Sequence, residues 1–170
     1  MNVKRVLLSL LFVFLSFSVG AETLDGYGKS KWGMSPQQVV EAEDGRAHLL
    51  KTPVKYFNSF GKVSIDSVEI GSSDYEVIYL FDKENKLVQV NISSKEKENN
   101  LINDSNFKTI ESLLTQKYGV PTYRENSVKS IWNMKGTTIE LEHIYVANVV
   151  TKLNISYVPE AVTKNNTNNI

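Results

Sequence analysis

Residues 104–121 read DSNFKTIESLLTQKYGVP, and the spacing within them predicts a helix that covers a sheet. Phe107, Ile110, Leu113, Leu114 and Tyr118 recur at helical intervals and fall on one side of a 3.6-residue repeat. Asp104 or Ser105 can cap the first turn, and Glu111 and Lys117 mark the exposed side. Gly119 followed by Pro121 supplies a stop. The expected helix is 105–118.

Upstream, the run Trp32-Gly33-Met34-Ser35-Pro36-Gln37-Gln38-Val39 carries a second helix start. Ser35 is the N-cap, Pro36 occupies the first position where its missing N–H costs nothing, and Gln38 completes a capping box. A short helix is expected over 36–43, ended by Asp44-Gly45.

Between the helices the period changes to two. Strands are expected at 55–58, 62–70, 74–81 and 87–92, with Tyr75, Val77, Tyr79 and Phe81 on one face. The loop Asp82-Lys83-Glu84-Asn85-Lys86 makes the last two an antiparallel hairpin. Val63 and Ile65 are out of phase with Val68 and Ile70, which fits either a bulge or two shorter strands. Residues 93–104 form a charged connector. After the second helix, strands are expected at 128–134, 137–145 and 151–157. There Ile139, Leu141, His143 and Tyr145 oppose Thr138, Glu140 and Glu142, so one sheet face is wet. The whole is an α+β body over 22–159: an antiparallel sheet with both helices on one face, and possible half-repeats at 32–93 and 104–158. Residues 160–170 read as a flexible polar tail.

The first residues address the chain. Met1–Arg5 is a short basic segment, Val6–Val19 is apolar, and Val19-Gly20-Ala21 puts small residues before a cut. Residues 1–21 are thus expected to be a signal peptide. The apolar run, about 14 residues, falls short of the roughly 20 that span a bilayer. A periplasmic or secreted location follows, with no stable membrane anchor after cleavage.

Composition narrows the chemistry. The formal charge is zero, and loss of Lys4 and Arg5 leaves the mature chain slightly acidic, which favours no nucleic-acid partner. There is no cysteine, hence no disulfide, thiolate metal site or catalytic thiol. His48 and His143 are the only histidines; neither sits in a triad or a ligand spacing, so no metal and no cofactor is expected. His143, between Leu141 and Tyr145, reads as a hydrogen-bonded core or edge residue. Trp32 and Trp132 read as core packing or, less simply, a ligand platform. Glu140 and Glu142 lie two apart on one strand face, a spacing open to glycoside hydrolysis but better read as a solvated pair balanced by Lys152. Asn-x-Ser/Thr triplets occur at Asn91, Asn103, Asn154 and Asn165.

Gly33-Met34-Ser35-Pro36-Gln37-Gln38-Val39 resembles the helix start, and Lys117-Tyr118-Gly119-Val120-Pro121 the helix stop, of small periplasmic helix–strand–strand–strand proteins. These are the outer-membrane assembly lipoproteins of the SmpA/BamE type and the units of the β-lactamase inhibitor protein. This chain departs from them in lacking the lipid-bearing cysteine and in ending its first helix with Glu43-Asp44-Gly45. The resemblance implies two tandem α-β-β-β units that bind other proteins. The expected function is therefore non-catalytic binding of another envelope protein, with Tyr75, Tyr79, Glu140 and Glu142 as candidate contact residues and no catalytic residue. An inhibitor or immunity-type protein against a periplasmic enzyme or toxin is one alternative; a carboxylate-dependent hydrolase is the other.

Overall fold

The computed structural model describes residues 23–167; the signal peptide expected at 1–21 and its expected cleavage point lie outside the described residues. A small hairpin, β1 (Gly26–Tyr27) and β2 (Ser30–Lys31), precedes α1 (Pro36–Ala42). Four strands follow: β3 (His48–Tyr56), β4 (Ser59–Ile70), β5 (Ser73–Phe81) and β6 (Leu87–Ser94). Then come α2 (Asn100–Tyr118), β7 (Tyr123–Glu125), β8 (Lys129–Met134), β9 (Thr137–Val146), β10 (Val150–Pro159) and α3 (Glu160–Thr167). The architecture is α+β. Eight strands form one antiparallel sheet in the order β3-β4-β5-β6-β10-β9-β8-β7.

That order is a tandem arrangement. Each of α1 and α2 is followed by a four-stranded meander, and the last strands of the two meanders pair at the centre with Ile92 opposite Ile155. The first half carries the four strands expected of it, with β3 starting earlier, at His48, and the second carries four where three were expected. The extra strand in the second half, β7, spans only three residues, too few for alternation to register.

α1 forms as its letters dictate. The Gln38 N–H donates to Ser35 Oγ at 3.3 Å, and the Ser35 N–H donates back to Gln38 Oε1 at 2.9 Å. α2 begins earlier than expected: Asn99, not Asp104 or Ser105, is its cap, accepting from the N–H groups of Leu101 and Ile102. The reason is polar burial. Asn103 and Asn106 extend the inward stripe toward the N-terminus, Asn103 donating to Glu96 O and Thr151 Oγ1 and Asn106 to Ser73 Oγ. A stripe continued by amides is invisible to an apolar-period search. Farther along, Phe107, Ile110 and Leu114 are buried while Leu113 is 43% exposed, so Leu113 does not belong to the core. Gly119 ends the helix at φ 86°, and its carbonyl accepts the Trp132 indole N–H at 2.8 Å.

One core lies between the sheet and both helices. Val63, Tyr79, Val90, Tyr157, Ile139 and Trp132 form a continuous cross-strand row on the covered face, with Val39 from α1 and Phe107 from α2 in the same cluster. β4 remains one strand, and its phase change is a register shift between Ile65 and Val68, which selects the bulge. The expected polar tail winds into α3, with the Glu160 N–H on Gly136 O.

Candidate functional site

Residues of α1 and α2 pack on the covered face, and the side chains of the opposite face are set by the same alternation. One row crosses the whole sheet: His48, Ser64, Ile78, Asn91, Ser156, Glu140, Ile131 and Tyr123 are successive cross-strand neighbours. Beside it run Glu76, Ser93, Asn154, Glu142, Lys129 and Glu125. At the centre Asn91 faces Ser156 and Ser93 faces Asn154, from the triplets Asn91-Ile92-Ser93 and Asn154-Ile155-Ser156. The matching letters are a repeat signal that the sequence reading did not use. Each isoleucine points into the core while its flanking amide and hydroxyl stay half-buried on the open side. Ser93 Oγ donates to Asn154 Oδ1 at 2.9 Å, and Gln89 Nε2 to Asn91 Oδ1 at 2.7 Å. These bonds hold the side chains in place and leave further donors and acceptors facing outward.

One end of the face is bounded by the β3–β4 hairpin. Its Tyr56 ring packs on Gly61, where a Cβ would stand only 2.7 Å from Ile78 Cγ2 and 3.4 Å from Tyr56 Cε2. Glycine is favoured there because the Ile78 side chain on the neighbouring strand fills the space a Cβ would need. Burial, with a smaller contribution from the Glu76 charge, pushes the Tyr56 phenol up. Under this corner Leu80 and Ser64 are buried, and Ser64 Oγ has no hydrogen-bond partner.

The expected contact residues divide. Tyr75 and Tyr79 have no exposed surface and cannot touch a partner, which corrects their assignment to the rim. They alternate with Val77 on the covered face, and the Tyr75 hydroxyl lacks a hydrogen-bond partner. Burial pushes the Tyr75 phenol up to about 12; it also raises Tyr79, which faces the buried Glu43 carboxylate. Glu140 and Glu142 do lie on the open face. Their balancing cation is Lys129 on β8 rather than Lys152, with the ammonium paired to Glu140 and 3.9 Å from Glu142. Hydrogen bonding to Glu140 raises the Lys129 pKa against the cost of partial burial. One ammonium offsets one of the two carboxylate charges, and its ion pair ties up Glu140. Lys152 pairs across the ladder with Ile144 instead, and burial followed by repulsion from Lys97 lowers its pKa.

The remaining candidates are structural. His143 bridges Ser127 O at 3.2 Å and Thr151 Oγ1 at 3.1 Å, the hydrogen-bonded role expected of it. Trp132 is buried, and Trp32 donates to Thr137 Oγ1 at 2.9 Å. Among the described residues no three His, Asp or Glu side chains cluster as a metal site, and no helix is long and apolar enough to cross a membrane. Two clefts flank the start of α2. One of about 570 Å³ is lined by Ser73, Asp74, Lys95, Ser105 and Asn106, and one of about 320 Å³ by Lys97, Asn100, Tyr145 and Val149. No protein-family model, no curated protein and no solved structure matches this chain.

Proposed function

We propose that this chain is an exported, soluble periplasmic protein that acts by non-catalytic binding of another envelope protein through the uncovered sheet face. The observation that carries this reading is the central amide and hydroxyl group of Asn91, Ser93, Asn154 and Ser156. These side chains are half-buried and outward-facing on a broad face, with Asn91, Ser93 and Asn154 held by hydrogen bonds and the acidic pair and Lys129 beside them. Preordered polar groups lose little entropy on association and supply directional contacts. The leader-like N-terminus supports export, and the resemblance to small protein-binding units supports the class.

The test is affinity capture of the tagged protein from the periplasm of the producing bacterium, followed by mass spectrometry. A near-stoichiometric partner, lost on Asn154→Arg with the fold intact, is expected. Turnover of a cell-wall substrate that Glu140→Gln abolishes, with no partner recovered, would replace this reading with the hydrolase.

A further inference from the structure

The β3–β4 hairpin presents a feature that folding does not explain. Tyr56 pairs with Ser59, leaving a two-residue turn of Phe57 and Asn58. Phe57 is 99% exposed and left-handed at φ 41°. A turn position with positive φ favours Gly, Asn or Asp, and a bulky residue there is strained. The chain therefore keeps a phenyl ring fully in water on a backbone that resists it. Both penalties vanish with glycine, so the ring serves something outside the fold.

The surroundings define what that is. From Gly45 to Ile65 the sequence holds Arg46, Lys51, Lys55 and Lys62 and no carboxylate, in a chain whose formal charge is zero. Arg46 is paired with Glu43 and Lys62 hydrogen-bonds Asn85. Lys51 and Lys55 are exposed and, among the described residues, have no ion-pair partner. Lysines and Pro53 on an edge strand guard it against pairing with copies of itself; an exposed phenylalanine has the opposite effect, so edge protection does not account for the tip. At the base of the hairpin the register slips between Leu49 and Val54. The displaced residues wall a cleft of about 390 Å³ with Pro36, Leu49, Leu50, Pro53 and Lys62. From Pro53 to Phe57 an extended chain covers about 13 Å at ~3.3 Å per residue.

We infer that the β3–β4 hairpin docks an acidic, apolar-bearing segment of a partner protein, one side chain filling the cleft beside Pro53 and another packing on Phe57, with Lys51 and Lys55 facing its carboxylates. This rests on the protein-binding reading and adds a second contact surface, with a stated chemistry, to the sheet face. Lysine repulsion of basic or self-like strands supplies selectivity, and the ring supplies the anchor.

The experiment selects phage-displayed random 12-residue peptides against the immobilised full chain and its variants. Peptides rich in Asp and Glu around apolar residues are expected. Their affinity should fall about thirtyfold on Phe57→Gly, as for an aromatic hot spot, and their on-rate should fall on Lys51→Glu with Lys55→Glu. Phe57→Gly should meanwhile leave the thermal midpoint unchanged or higher, which a merely structural ring would not allow. The inference is overturned by a lower midpoint for Phe57→Gly, by peptides that bind that variant equally, or by a selection with no acidic enrichment. Association with phosphatidylserine vesicles in place of any peptide overturns it as well. Asn154→Arg separates the two readings: peptide binding that survives it while the periplasmic partner is lost leaves both standing. A periplasmic partner retained by Asn154→Arg but lost by Phe57→Gly keeps the hairpin and removes the sheet face.

Discussion

Replacing Glu43 measures how far a buried carboxylate organises the N-terminal third of the body. Glu43 closes α1, is completely buried, and accepts at Oε1 from the Lys29 N–H at 3.1 Å and the Ser30 hydroxyl at 3.0 Å. Its Oε2 takes the Arg46 guanidinium. Glu43→Gln keeps the shape and one acceptor oxygen for Ser30 and Lys29, losing the charge-assisted bond. Because Arg46 is 53% exposed, its guanidinium rehydrates, and the cost should be about 1–2 kcal/mol. Glu43→Ala strands the buried Ser30 hydroxyl and the Lys29 N–H, at about 1–3 kcal/mol each, and empties space beside Gly28. The total should reach about 3–5 kcal/mol. Urea unfolding followed by the fluorescence of Trp32 and Trp132, extrapolated linearly to water, gives both values. Equal losses for Gln and Ala, or a loss below about 1 kcal/mol for Ala, would refute the claim that this carboxylate holds the β1–β2 hairpin to α1.

Leu114→Ala should cost about 2–5 kcal/mol, whereas Leu113→Ala, on the exposed side, should cost under about 1; parallel urea curves compare them. Glu140→Ala should be nearly silent, at under about 1 kcal/mol in the same assay, because its partner Lys129 is near the surface. Tyr75→Phe should be neutral or stabilising by about 1 kcal/mol, since it removes a buried hydroxyl without a partner. The raised phenols also fix an alkaline dependence. Tyr75 is neutral when protonated and its folded pKa, about 12, exceeds its unfolded value of 10.0, so its stabilisation is complete below pH 10 and is lost as the pH rises through 12. Phenolate absorbance of Tyr75, Tyr79 and Tyr157 should therefore appear together with unfolding, and Tyr75→Phe should move that transition to higher pH.

What the sequence determined was local. The capping box at Ser35 and Gln38 started α1 where the letters placed it, the 82–86 loop paired β5 with β6, and the strict alternation of 137–157 made one sheet face wet. Each rests on neighbours within a few positions, where backbone geometry alone dictates the outcome. Tertiary structure decided everything that needed a distant partner. Leu113 and Leu114 are equivalent to a helical period, and only the position of β9 and β10 against α2 sends Leu114 inward. Asn103 and Asn106 became buried because Thr151 and Ser73 wait opposite them, so α2 began at Asn100. Glu43 looked like a helix end until the β1–β2 hairpin folded its donors around it. Tyr75 and Tyr79 share their face with Val77 and Phe81, and a period of two states that much. That α1 and α2 cover this face, leaving the Asn-Ser face in water, is a matter of which face buries more apolar surface once both halves of the chain meet.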